Sequence, residues 1–187
     1  MAQIAYINGR YVPRAEATVR VEDRGYMFGD GVYEAIAVHD GRLVAADRHF
    51  ERLGRSLGEL RIAWPMPRAA LEVVAREVIA RNGLRNGGVY IQVTRGVAPR
   101  DHKFPNDAVP SLLVIAKRTK PVPAALLRDG AAIITRPDLR WGRCDIKSLN
   151  LLPNVLAKQA AAEQNAHETW LIDAAGNVTE GSSTSAW

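Results

Sequence analysis

RWGRCDIKSLNLL, residues 140–152, sets one lysine, Lys147, among apolar neighbours in a chain that otherwise favours arginine. The 25 basic residues divide into 20 Arg and 5 Lys, so a merely solvated cation here would more usually be Arg. Only lysine readily sheds its proton and condenses with an aldehyde, which makes position 147 a candidate exchangeable amine. Working outward, AAIITR (131–136) reads as a strand before the lysine. After it, NVLAKQAAAEQNA (154–166) is a helix rich in strong helix formers, and TWLIDAAGNVTEG (169–181) reads as a hairpin. A strand, a lysine-bearing loop, a helix and a hairpin in that order predict a mixed α/β (α+β) architecture.

The N-terminal part extends that prediction. IAYINGRYV (4–12) alternates around Asn8-Gly9, and VYEAIAVHDGRLVA (32–45) turns at Asp40-Gly41, both dipeptides suited to tight hairpins. ADRHFERLGRSLGELRI (46–62) spaces Phe50, Leu53, Leu57 and Leu60 helically, with Asp47 as the expected N-cap. In RAALEVVAREVIARNG (68–83), Leu71, Val74, Ala75, Val78 and Ile79 make one apolar face, and Gly83 supplies the stop. GVYIQVTRG and SLLVIAKR complete the set as strands. The Pro-rich TKPVPA predicts a boundary: an N-terminal α/β domain over 1–118, a linker over 119–124, and the start of a second domain over 125–187.

Composition narrows the function classes. With 47% hydrophobic and 24% charged residues the chain reads as an ordinary globular protein, and no apolar run approaches a membrane span. The N-terminus lacks the layout of a signal peptide, so the expected location is the cytoplasm, with no membrane partner. The single Cys144 excludes an intrachain disulfide and a cysteine-rich metal site. A net charge of +5 raises nucleic acid as a partner, but the arginines are interspersed with acids, as in Arg76-Glu77, and no basic run carries interleaved aromatics. An anionic small molecule is the better expectation.

Three further stretches carry candidate chemistry. DRGYMFGDGVYE (23–34) places Gly25, Gly29 and Gly31 where a loop turns sharply or another surface comes close. VTRGVAPRDHKFP (93–105) sets Arg100 and His102 two positions apart. In extended backbone both could reach one carboxylate, although a solvated Arg and a loop His suit the same pattern. TEGSSTS (179–185) follows a carboxylate with hydroxyls and successive N–H groups, a turn suited to phosphate or simply to turning.

Taken together, DRGYMFGDGVYE, HFERL, TRGVAPRDHKFP, RCDIKSLNLLPNVLAKQ and VTEGSS resemble the fold-type IV pyridoxal-phosphate aminotransferases, particularly their D-amino acid-specific members, in the family's order and over nearly the whole chain. The resemblance implies a two-domain fold with pyridoxal 5'-phosphate as cofactor. It makes Lys147 the Schiff-base lysine and proton shuttle, and Glu180 the acid that pairs with the pyridine nitrogen. Arg52 matches the phosphate-binding arginine, and Ser182, Ser183 and Thr184 lie where the turn reaches the cofactor. Tyr33 matches a tyrosine lining the substrate side; Arg100 and His102 match the pair that binds the substrate α-carboxylate. The implied activity is transamination between a D-amino acid such as D-alanine and a 2-oxo acid such as 2-oxoglutarate, in a homodimer.

Within the same fold, a branched-chain L-amino acid aminotransferase and an aminodeoxychorismate lyase are the alternatives, and the Arg100-x-His102 pair argues against the first. Outside it stand an inactive truncated remnant and a basic binding module. The sequence departs from the family where Thr184-Ser185-Ala186 replaces the common Asn after the serines. Family members continue for roughly another hundred residues, so the expectation is a second domain that is truncated here and a natural chain that runs past Trp187.

Overall fold

The computed structural model describes residues 3–186 and divides into two units, one of residues 1–120 with 145–149 and one of residues 121–144 with 150–187. In the first, β1 (Ile4–Ile7) and β2 (Arg10–Pro13) form the expected hairpin, with Asn8 and Gly9 at φ 44° and 91°. These are the positive angles that a turn matching strand twist demands. After the short α1 (Arg24–Phe28) come β3 (Gly31–His39) and β4 (Arg42–Leu43), turning at Asp40-Gly41. Then follow α2 (Ala46–Glu59), α3 (Arg68–Arg81), β5 (Gly87–Thr94) and β6 (Ser111–Arg118). The six strands make an antiparallel sheet in the order β2-β1-β6-β5-β3-β4.

The two helices close one face of that sheet because their apolar stripes have nowhere else to go. Phe50, Leu53 and Leu57 of α2 and Leu71, Val74, Ala75, Val78 and Ile79 of α3 are buried against Val32, Ile36, Val89, Ile91 and Val114. One sequence expectation fails here. Asp47 is not the N-cap of α2: Ala45 holds that place in a left-handed conformation, and Asp47 sits in the first turn. There its carboxylate pairs with Arg68 at 2.5 Å, an alternative use of the same charge that sequence spacing does not reveal.

The second unit holds α4 (Ala124–Asp129), β7 (Ile133–Pro137), α5 (Leu152–Glu163), β8 (Glu168–Ile172) and β9 (Val178–Gly181). β7 and β8 pair in parallel, which requires a crossover, and α5 supplies it; β8 and β9 form the expected antiparallel hairpin. Residues 145–149, which lie beyond the Pro-rich boundary in sequence, pack with the first unit, because Ser148 bridges Val32 of β3 and Leu149 N–H donates to Gly31 O at 3.1 Å. Among the described residues, no helix is long and apolar enough to cross a membrane.

Candidate active site

Lys147 lies on that returning segment, fixed at its backbone on both sides. Its N–H donates to Ser56 Oγ of α2 at 3.2 Å, and its carbonyl accepts from Tyr33 N–H of β3 at 3.0 Å. Ile146 and Ser148 are buried on either side, which leaves Lys147 the half-buried residue between them. Its Nζ stands 4.6 Å from the centre of the Tyr33 ring, and no carboxylate lies within ion-pair distance of it among the described residues. A cation over an aromatic face is attracted to it without being neutralised. Gly31 makes the arrangement possible: a Cβ there would stand 2.7 Å from Val93 O and 2.9 Å from Leu149 Cδ1.

Tyr33 in turn stacks on Tyr90 of β5, with ring centres 5.5 Å apart. Burial, aided by neighbouring Tyr33, pushes the Tyr90 phenol up to about 12, so it remains a neutral donor, to Gln92 Oε1 at 2.7 Å.

The other side of β3 carries a group that the sequence reading missed. Glu34 is fully buried, yet its carboxylate accepts from Arg52 Nε and NH2 at 2.7 and 2.8 Å and lies 2.7 Å from His49 Nδ1. An ionised carboxylate only accepts, so His49 Nδ1–H is the donor. This bidentate bond to Glu34 raises the Arg52 pKa and keeps it charged. The side chain is 43% exposed, and its NH1 has no hydrogen-bond partner among the described residues. A signal was present: in GVYEAIAVH the parity that buries Val32, Ile36 and Val38 puts Glu34 on the core face too, and a buried carboxylate needs a cation.

Arg100 and His102 stand in the exposed loop between β5 and β6, both against one aromatic ring. The Arg100 guanidinium is 5.4 Å from the centre of the Phe28 ring, and the His102 ring centre is also 5.4 Å from it. The structure thus brings this pair together at Phe28.

In the second unit, Glu180 is half-buried on β9 opposite Leu171. Arg140 lies near enough for that negative charge to contribute to its raised pKa, after its hydrogen bond to Asp138. The turn that follows holds an anion, but an internal one. The Ser182, Ser183 and Thr184 hydroxyls all donate to Glu168, the last two at 2.8 and 2.9 Å, and Ser183 N–H adds a bond at 3.2 Å. Burial would raise the Glu168 pKa; the bonds from Ser182, Thr169 N–H, Ser183 and Thr184 outweigh it and hold the carboxyl down at about 2. Glu168 is, with Asp23 and Glu34, one of the buried acids, and no periodic signal in the sequence marks it.

The sequence profile of the amino-transferase class IV family matches residues 31–187. The D-alanine aminotransferase of Staphylococcus haemolyticus is 44% identical over 182 residues, covering 97% of this chain and 64% of the relative. That of Bacillus licheniformis is also 44% identical over 182 residues, covering 96% and 63%. Among solved structures, a branched-chain amino acid aminotransferase from T.th. with pyridoxamine 5'-phosphate superposes at a TM-score of 0.85 with 26% identity, over 97% of this chain and 63% of that one. The chain thus spans just under two thirds of the length of these relatives.

Proposed function

This chain belongs to the amino-transferase class IV family, and on that basis we propose that its protein transfers the amino group between a D-amino acid such as D-alanine and a 2-oxo acid such as 2-oxoglutarate, with pyridoxal 5'-phosphate as cofactor. The observation that carries the reading is the Lys147 amine, half-buried over the Tyr33 ring and free of any carboxylate among the described residues. When bound, the cofactor supplies an aldehyde and an electron-withdrawing ring that make the substrate Cα–H acidic. By their chemistry the residues present suit it: the first unit carries a primary amine on a fixed backbone and a charged arginine with one open edge, and the second unit by itself carries an acid on β9.

In this reading Lys147 Nζ would hold the cofactor and would be the base that takes and returns the Cα proton. The segment 145–149 fixes the Lys147 main chain against β3 and α2, so the amine's reach is set before substrate arrives. Arg52 would offer its NH1 edge to the phosphate, Glu34 holding the other two nitrogens. Glu180 would be the acceptor for the ring N–H. In the Ser182–Thr184 turn the hydroxyls and the Ser183 N–H are committed to Glu168 and the Ser182 N–H to Thr169 O, so its contribution would come from the Thr184 N–H.

Tyr33 lines the substrate side, and Arg100 with His102 takes the α-carboxylate. Anchoring the carboxylate on one wall decides which enantiomer presents its Cα–H to the lysine. The D-alanine aminotransferase relatives support D-specificity; the branched-chain solved structure supports a branched-chain amino acid as the competing substrate. A homodimer in the cytoplasm completes the reading.

Borohydride reduction followed by peptide mapping tests the central claim. The pyridoxyl label is expected on Lys147, and Lys147→Ala should abolish transamination. A label on another lysine overturns the assignment, and a preference for L-leucine over D-alanine overturns the substrate class.

A further inference from the structure

The DRGYMFGDG stretch (23–31) contains more than close-approach glycines. Asp23 caps α1, accepting from Gly25 N–H at 2.8 Å and from Thr94 Oγ1 at 3.0 Å. The next residue, Arg24, is only 3% exposed, and Arg95, just past β5, only 5%. Both guanidiniums converge on one carboxylate: Asp30 Oδ2 accepts from Arg24 Nε at 2.7 Å and Arg95 Nε at 2.8 Å, and Asp30 Oδ1 from Arg95 NH2 at 3.0 Å. Burial alone would raise the Asp30 pKa, and the bonds from Arg95 and Arg24 reverse the direction.

Two buried cations on one anion leave donors to be satisfied elsewhere, and their destinations are informative. Arg95 donates to the carbonyls of Arg61 at 3.0 Å and Leu60 at 2.8 Å. Arg24 NH1 donates to Asp101 O at 2.5 Å, the carbonyl that lies in the chain between Arg100 and His102. The same Arg24 guanidinium stands 4.8 Å from the Phe28 ring against which Arg100 and His102 pack, and Arg95 stands 3.6 Å from the ring of Phe104. A loop with no regular secondary structure from 99 to 110 apart from a single turn is therefore gripped by two buried arginines, at a main-chain carbonyl and at an aromatic ring.

We propose that Arg24, Asp30 and Arg95 form a positioning cluster for the 100–104 loop, holding Arg100 and His102 in the arrangement that receives a substrate carboxylate. The proposal rests on the carboxylate role given to those two residues above. Arranging the donors before binding removes an ordering cost that the substrate would otherwise meet, so the cluster acts on carboxylate affinity rather than on proton transfer. A buried pair that merely supported α1 would affect folding without singling out the substrate carboxylate.

The test uses the intact holoenzyme with D-alanine and 2-oxoglutarate. Arg24→Lys keeps a charge for Asp30 but lacks the forked donor that spans Asp30 and Asp101 O. KM for both substrates should rise roughly tenfold, as expected for loss of a charge-assisted hydrogen bond. The kcat and the affinity for pyridoxal phosphate, measured by absorbance titration, should be unchanged. In an Arg100→Ala background the same substitution should add little, because its effect runs through a residue already removed. Phe104→Leu, at a half-exposed position, should raise both KM values in the same direction by a smaller factor. Unchanged KM in Arg24→Lys or in Phe104→Leu, fully multiplicative effects in the double variant, or an equal loss of cofactor affinity overturns the positioning role. If Arg100→Ala itself leaves KM unchanged, the carboxylate reading falls and this proposal with it. If Arg100→Ala raises KM and Arg24→Lys does not, only the positioning role is lost.

Discussion

Replacing Glu168 with glutamine should destabilise the chain by an amount that depends on pH. Glu168 is 3% exposed, and its two oxygens accept from three hydroxyls and two main-chain N–H groups, with Lys158 Nζ 3.5 Å away. The carboxyl is thereby held at about 2, against an ordinary value of 4.5. A folded-state pKa below the unfolded one gives stability that is fully present above pH 4.5 and lost as the pH falls toward 2. The difference corresponds to about 3 kcal/mol. Glutamine keeps the shape but removes the charge, and its NH2 faces donors where an acceptor stood. The variant should therefore unfold about 2–3 kcal/mol more easily at pH 7, and the gap should close progressively below pH 4.5. Urea unfolding of both proteins at pH 7, 5 and 3, followed by tryptophan fluorescence with Trp170 on the same strand as reporter, measures it. A gap that stays constant over this range, or is absent at pH 7, refutes the claim that the ionised carboxylate organises the turn.

Glu34→Gln should lower stability by about 1–3 kcal/mol, since it leaves Arg52 partly unpaired over a buried amide, and thermal unfolding reads this directly. The same variant should weaken binding of pyridoxal phosphate more than that of unphosphorylated pyridoxal; an equal effect on both would separate Glu34 from the phosphate. Gly31→Ala should cost about 1–3 kcal/mol, because the new methyl meets main chain at Val93 and Thr94 and crowds the Leu149 side chain. A melting temperature equal to that of the unmodified chain would count against it.

Much of this architecture was legible in the linear sequence. The hairpins at Asn8-Gly9 and Asp40-Gly41, the faces of α2 and α3, and the strand, helix and hairpin of the second unit all follow from short-range periodicity and turn chemistry. So was the singular Lys147, because an unusual residue type in an apolar setting is visible without coordinates. The cap of α2 departs from the spacing: Ala45 holds it, and Asp47 pairs with Arg68, twenty-one positions away.

The order of elements, the buried faces and the candidate amine could be read before any coordinates, since each depends on neighbours within a few residues. Where the charges go is a property of the folded chain: Glu34 to Arg52 and His49, Glu168 to the Ser182–Thr184 turn, and Asp30 to both Arg24 and Arg95. With 25 basic and 20 acidic residues the possible pairings are many. Burial selects among them, because a carboxylate withdrawn from water must take whichever donors the fold delivers to it, and those donors arrive from distant parts of the chain.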